Sequence, residues 1–495
     1  MAYRKPERMS KEVFGAHLRP APGGNLRERV YIDGRWIAAT GSGVSRVTDC
    51  TTELQLGQTP MCSAADVDAA VRAAAAAFPA WARTTPAERA GCLRAIRDAL
   101  AARSEELAAL IAAEVGTPLR IARRVQVGLP LVVLESYAGL VSDYPFEEVV
   151  GNSAVIREAA GVVAAICPWN YPLHQAVAKV AAALAAGCTV VLKPSQVAPL
   201  SAFVLAEAID AAGLPAGAFN LVTGPGREVG EALALHPLVD VVSFTGSTEG
   251  GRRVAELGAR SIKKVLLELG GKSASVLLGD ADLAKAVSAT VNSAFLNSGQ
   301  TCNALTRLVV PRAWQEDAAG MAAAAAGKLT LGDPFLEETR LGPLVSDEQR
   351  RSVVAQIRQG MADGARLVAG GPRQPEALRA GYFVEPTVFT DVAPGMPIAQ
   401  DEIFGPVLSI IGYDDEAEAL EIANGTPYGL AGAVWSGDTN HARDFARGMR
   451  CGQVDINGGR FNPLAPIGGF RQSGIGRELG RHGLEEFLEL KALQS

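Results

Sequence analysis

Residues 161–193 read GVVAAICPWNYPLHQAVAKVAAALAAGCTVVLK. Residues 161–166 are a short apolar run, the length of a strand buried on both faces. Pro168 and Pro172 fix the loop after it, and a helical segment leads to the next apolar run at 189–192. The alternation continues through runs at 219–222, 239–244, 265–269 and 305–310. Short buried strands alternating with helices predict a parallel, doubly wound α/β sheet. Ligands in such sheets bind beyond the carboxyl ends of the strands. The polar residues that close each run are therefore the first candidates for function.

Outside this core, residues 64 to about 115 read as helical. Thr85-Pro86-Ala87-Glu88 sets a capping hydroxyl, an N1 proline and an N3 glutamate in register for a helix start. A second α/β block runs from about 310 to 470. Residues 147–150 and 153–158, joined by Gly151-Asn152, read as a hairpin. At the C-terminus Leu488, Leu490 and Ala492 alternate with Glu489 and Lys491, a half-buried strand. Both features need a sheet edge, and the pattern leaves open whether a neighbouring subunit or the same chain supplies it.

The chain of 495 residues has room for roughly three domains. Hydrophobic residues at 48% and charged residues at 20% exclude large-scale disorder. Lys+Arg 47 against Asp+Glu 53 gives a net charge of −6, without a long basic run, which disfavours charge-driven nucleic-acid binding. Cys50, Cys62, Cys92, Cys167, Cys188, Cys302 and Cys451 are odd in number and contain no CxxC pair, which fits neither a disulfide framework nor a zinc site. The histidines show no ligand spacing, so no metal is expected. The N-terminal residues mix both charges and do not read as a secretory signal. The longest uncharged apolar stretch, between Glu158 and Lys179, carries Pro168, Asn170, Pro172, His174 and Gln175, which a membrane-spanning helix would not readily hold. The expectation is a reduced, cytoplasmic chain with no membrane or nucleic-acid partner.

Several run-closing residues suit chemistry. Leu283, Val287, Val291, Ala294 and Phe295 mark one face of a helix that stops at Asn297-Ser298-Gly299. Cys302 follows on a polar loop, where a nucleophile needs a lowered pKa or a nearby base. Glu268 closes the run 265–269; burial there would raise its pKa and suit it as a general base. Gly246-Ser247 opens a helix with bare N–H groups fit for a phosphate, and Gly224-Pro-Gly226 makes a similar turn. Lys193 stands at a strand tip, and the Asn170 side chain can donate to an anion.

In order and spacing, Pro168-Trp169-Asn170, Lys193-Pro194-Ser195, Phe244-Thr-Gly-Ser-Thr, Glu268-Leu-Gly-Gly-Lys272, Gly299-Gln-Thr-Cys302, Glu402-Ile-Phe404-Gly-Pro406 and Pro466-Ile-Gly-Gly469 resemble the aldehyde dehydrogenase superfamily. The resemblance runs from about Tyr31 to the C-terminus. It implies an α/β fold with a Rossmann-type NAD(P)-binding domain over 1–141 and 160–268, an α/β catalytic domain over 269–472, and a β-strand oligomerisation arm over 142–159 and 473–495. It favours the intersubunit reading of the hairpin and terminal strand, in a homodimer or homotetramer. The implied reaction is NAD(P)-dependent oxidation of an aldehyde to a carboxylic acid. By resemblance Cys302 is the nucleophile, Asn170 the oxyanion donor, and Glu268 the base that activates water to hydrolyse the thioester. A glutamate at 268 makes water, rather than coenzyme A, the implied acyl acceptor.

The resemblance also implies cofactor contacts at Ile166, Trp169, Lys193, Ser195, Gln196, Gly226, Phe244, Gly246, Ser247, Leu269, Glu402 and Phe404. It implies a substrate tunnel at Tyr171, His174, Gln175, Ala178, Thr301, Asn303, Arg460 and Phe461. Three departures stand out. Gln196 replaces a glutamate frequent in NAD-preferring relatives, so NADP stays open while NAD is favoured, because no arginine adjoins Gln196. Ala178 replaces a large aromatic, which implies a wider tunnel. Asp49-Cys50 replaces the usual Asn-Pro, with no functional account from sequence.

Overall fold

The computed structural model describes residues 16–495. The run 161–193 folds as strand Val162–Ile166, helix Pro172–Ala186 and strand Thr189–Lys193. Every residue of both strands is buried, which is why each reads as unbroken apolar sequence. The helix has proline in its first turn and stops at Gly187, whose φ of 95° lies in the left-handed region that glycine enters cheaply.

Five parallel strands form the middle of an eight-stranded sheet, in the order Lys264–Glu268, Val241–Thr245, Val162–Ile166, Thr189–Lys193 and Phe219–Leu221. All six predicted strands are present, the sixth as Arg307–Pro311 in the second sheet, with ends displaced by at most two residues. The winding reverses between Val162–Ile166 and Val241–Thr245, so a crevice opens at their carboxyl ends. Register brings distant residues level there. Ile166 lies opposite Lys193 on one side and Phe244 on the other, and Thr245 lies opposite Glu268.

A second sheet has seven strands, with Ala274–Leu277, Arg307–Pro311 and Val407–Tyr413 at its centre. Its pairs are parallel except Arg366–Ala369 with Thr387–Thr390. The predicted helical segment 64 to 115 is three helices, Ala64–Trp81, Pro86–Ala101 and Ser104–Val115, and the capping box at Thr85 is formed.

The hairpin Glu147–Val150 and Ser153–Ala159 is present, and Leu488–Gln494 runs antiparallel along its second strand, Leu488 opposite Ala159 and Gln494 opposite Ser153. The two features supply each other's edge within one chain, which corrects the intersubunit reading of that pairing. The arm is also smaller than 142–159 and 473–495. Gly474–Ile475 adds to the eight-stranded sheet beside Glu268, and helix Gly480–Glu485 packs on Pro172–Ala186. A two-residue strand carries no periodicity, so sequence could not separate it from the arm.

Leu119–Asp143, rather than 158–179, is the one described helical run long and apolar enough to cross a membrane. Its buried face, including Val133, Leu134, Tyr137 and Val141, packs in the main core, and its Glu135 pairs with Arg94 and Arg97.

Asp49 has a structural explanation. Its Oδ1 accepts the N–H groups of Thr51 at 2.8 Å and Thr52 at 3.1 Å, closing a turn, while Oδ2 takes Arg19. Cys50 donates its N–H to Ala113 O at 3.1 Å. With Asp49 only 4% exposed, Asp49→Ala is expected to cost about 1–3 kcal/mol, and Asp49→Asn less because the turn acceptor survives. Thermal melts of both variants check this; equal losses would assign the whole effect to the Arg19 ion pair.

Candidate active site

The crevice leads into a cavity of about 200 Å³ on which Asn170, Glu268 and Cys302 all open. Each arrives from a different element. Asn170 lies on the loop after Val162–Ile166, Glu268 ends Lys264–Glu268, and Cys302 lies between helix Leu283–Phe295 and strand Arg307–Pro311.

The Cys302 loop begins with three successive left-handed residues, Asn297 at φ 52°, Ser298 at φ 57° and Gly299 at φ 74°. Short polar side chains tolerate this region when they bond locally. Asn297 does so, and Ser298 Oγ donates to Gly342 O at 2.8 Å. A Cβ at Gly299 would stand 2.2 Å from Gly405 O, so that backbone contact admits only glycine.

A buried network holds the loop against Asn170. Asn170 O accepts Gln126 Nε2 at 2.8 Å and Asn297 Nδ2 at 3.1 Å. Thr117 Oγ1 donates to Asn297 Oδ1 at 2.6 Å and accepts Gln126 Nε2 at 3.1 Å. Asn170 Nδ2 donates one hydrogen to Gln300 O at 3.1 Å. Gln300 is pinned in turn, its Nε2 to Asn297 O and its Oε1 to the Val345 N–H. With one hydrogen of Asn170 Nδ2 committed to the Cys302 loop, its second is uncommitted on the wall of the cavity that Cys302 shares.

Electrostatics set the resting protonation. Burial pushes the Glu268 carboxyl well above its ordinary value, Glu478 adds to this, and Lys179 and Arg477 oppose it. Its Oε1 has no hydrogen-bond partner. Burial, then Glu268 and Glu402, push the Cys302 thiol up, against the pull of the Asn303 N–H. Burial thus biases both groups toward their protonated forms.

Nine of the twelve expected cofactor residues line two cavities that meet at Ser247, and Lys193, Ser195 and Gln196 line neither. Trp169, Gly246, Leu269, Glu402 and Phe404 face the first; Ile166, Gly226 and Phe244 face the second, of about 450 Å³. Ser247 caps helix Thr248–Ala259, which turns its N-terminal N–H groups toward the junction. Lys193 is 4% exposed, donates only to Pro194 O at 3.0 Å, and burial lowers its pKa to about 8. Glu402 accepts the Gly271 N–H at 3.1 Å, and burial raises it to about 7. A Cβ at Gly270 would stand 2.1 Å from Glu402 Oε2, so the carboxylate sits against bare backbone. Trp169 and Phe404 meet edge to face at 5.2 Å. A buried ammonium, a helix N-terminus and glycine-lined walls fit a dinucleotide. Ser195 and Gln196 stand just past the strand tip; Ser195 Oγ accepts the Val197 N–H at 3.2 Å, and Gln196 is half-buried.

The expected tunnel residues are only partly together. Gln175 faces the catalytic cavity, and the Tyr171 and Thr301 hydroxyls bond at 2.8 Å. His174 stays neutral because burial, then Lys179, lower its pKa to about 4. Ala178 is 2% exposed and belongs to the main core cluster, and it does not line the catalytic cavity. Asn303 is half-buried, while Arg460 and Phe461 are exposed on the loop before Pro466.

The aldehyde dehydrogenase family matches residues 36–493. The chain belongs to that family. A 3-succinoylsemialdehyde-pyridine dehydrogenase of a Pseudomonas species is 46% identical over 94% of this chain and 97% of that protein. Aldehyde dehydrogenase C from Pseudomonas syringae, solved as a cysteine-to-alanine mutant with NAD+ and octanal, superposes with a TM-score of 0.95 at 46% identity, covering 96% of this chain and 98% of that one. The Mycobacterium tuberculosis aldehyde dehydrogenase solved with NAD+ gives 0.93 at 42% identity, covering 95% and 98%. This protein is an aldehyde dehydrogenase.

Sequence reasoning missed Thr117, Gln126, Asn297's bonding role, Gln300 and the pair Lys179–Glu478. Lys179 left a signal as the one charged residue of an otherwise apolar helix. Its Nζ, with 0% side-chain exposure, pairs with Glu478 and donates to Thr245 Oγ1. Gln126 left less, because it reaches Asn170 through a π-helical turn, Ala122–Val127, that periodicity does not show. Gln126→Leu in the dehydrogenase is expected to lower kcat about tenfold or more while leaving NAD affinity and aldehyde KM near wild type. Steady-state kinetics with NAD titration decide; a change confined to KM would remove the positioning role.

Proposed function

We propose that the dehydrogenase oxidises its aldehyde to a carboxylic acid through a thiohemiacetal and then a thioester on Cys302, with Glu268 activating the water that releases the acid. The observation that carries this is the shared cavity of Cys302, a pinned Asn170 amide and a Glu268 oxygen without a partner. The aldehyde carbonyl oxygen accepts the free Asn170 N–H and the Cys302 backbone N–H, so negative charge grows where donors already point. An amide donates there without being acylated. NAD+, when bound, supplies positive charge in the cavity and the hydride acceptor that turns the thiohemiacetal into a thioester. Glu268 must then lose its proton to act as base, and its raised pKa makes that step speed up as pH rises.

In this reading the eight-stranded sheet binds the dinucleotide, with Lys193 and Glu402 at its two riboses, Trp169 and Ser247 near the pyrophosphate and Phe404 beside the nicotinamide. The seven-stranded sheet carries the nucleophile. The arm joins subunits in a homodimer or homotetramer, for which exposed Val149 and Leu490, 78% and 71% exposed, offer apolar surface. Seven unpaired cysteines suit a cytoplasmic compartment. The relative named for a semialdehyde and the neighbour holding octanal support an aldehyde with an extended tail as substrate.

Cys302→Ala is expected to abolish turnover, by more than about a thousandfold, with NAD binding intact. Glu268→Gln should still give one rapid equivalent of NADH and then stall as the thioester. A mixing experiment that follows reduced nicotinamide tests both; steady turnover by either variant would remove the residue from its role. Adding coenzyme A should not accelerate the wild type.

Gln196 is neutral where a carboxylate would repel a 2′-phosphate. NADP should therefore serve as well as NAD, with NAD somewhat preferred, and Gln196→Glu should increase the preference at least about tenfold. A wild-type kcat/KM ratio of several thousand in favour of NAD would sink this reading.

A further inference from the structure

Behind the loop of Glu268-Leu269-Gly270-Gly271-Lys272, on the side away from the catalytic cavity, lies a third, much smaller cavity of about 10 Å³. Three cations, Lys272, Arg307 and Arg450, line it, and no carboxylate does. Lys272, Ser273 and Arg307 are 2%, 3% and 2% exposed. Lys272 Nζ and Ser273 Oγ have no hydrogen-bond partner. Arg307 spends its donors on three backbone carbonyls, Lys272 O at 2.8 Å, Ile422 O at 2.6 Å and Ala423 O at 2.8 Å. Among the described residues neither buried cation forms an ion pair. Buried cations without counter-charge are costly, and unpartnered buried donors add to that cost.

We propose that this cavity is a binding site for a small inorganic monoanion of chloride size, held by Lys272 Nζ and Ser273 Oγ, with Arg307 and Arg450 supplying charge. Its volume admits one particle of roughly water to halide size and excludes phosphate or a metabolite carboxylate. Burial and the Arg307 guanidinium lower the Lys272 ammonium to about 7, while Glu402 and Asp401 pull the other way. A bound anion adds counter-charge in direct contact, beyond that of Glu402 and Asp401, and keeps Lys272 protonated. It also anchors the strand-to-loop junction from behind, because the adjoining Gly271 N–H is the one that holds Glu402. The site does not depend on the reaction proposed above.

The test is the chloride-35 NMR line width of sodium chloride solutions containing the whole protein, without substrate. Wild type should give excess broadening that bromide displaces. Lys272→Met and Ser273→Ala should each lose most of it, and the serine variant decides if the lysine variant fails to fold. Crystals grown in sodium bromide should show an anomalous peak between Lys272 and Ser273. Broadening unchanged in both variants, or a water with no bromide peak at that position, would overturn the proposal.

Discussion

The carbonyl oxygen of Asn170 is the point at which the two sheets are tied together at the active site. It belongs to the loop after a strand of the eight-stranded sheet, and it accepts one amide from the helix that follows Leu119 and one from the loop before Cys302. A backbone carbonyl has two lone pairs, and both are used. Because the Asn170 side chain then donates back to Gln300 O, the same residue is bonded to the nucleophile's loop at both ends. The placement of Asn170 against the Cys302 loop is thus built into the fold before any ligand arrives. Thr117, Gln126 and Asn297 do not line the cavity, yet they hold Asn170 and the Cys302 loop together.

Burial gives this centre its second character. Glu268, Lys193 and Lys272 are nearly sealed from water and Glu402 is half-buried, and desolvation moves each toward its neutral form. Charges brought by ligands therefore act on groups that burial already biases against ionisation. A solvated site with the same residues would hold them firmly ionised. The Lys179–Glu478 pair, fixed to Thr245 beneath Glu268, shows how the fold restores counter-charge where it keeps a cation fully buried.

The fold was legible because its central strands are buried on both faces, and unbroken apolar runs of four to six residues admit few other readings. Glu268 and Cys302 could be read because each breaks a pattern, one ending an apolar run and the other following a helix stop. Ala178 shows the limit. Its small size suggested open space, but the helix around it is buried on nearly every side, so a missing side chain there is filled by neighbours. Asp49 was opaque for another reason, since its partner Arg19, which also holds Asp333, is joined to it only by tertiary structure. Gln126 required a π-turn, and Gly474–Ile475 was too short to carry a period.

The chain's last segment has a meaning for biosynthesis. Gly474–Ile475 covers the edge of the strand that bears Glu268, Glu478 neutralises Lys179, and Leu488–Gln494 closes the open edge of a hairpin made long before. Until those residues leave the ribosome, the hairpin offers an unpaired strand and Lys179 lacks its counter-ion. A chain cut before Gly474 would leave bare the edge of the strand that bears Glu268 and one edge of the hairpin, and would leave Lys179 without its counter-ion.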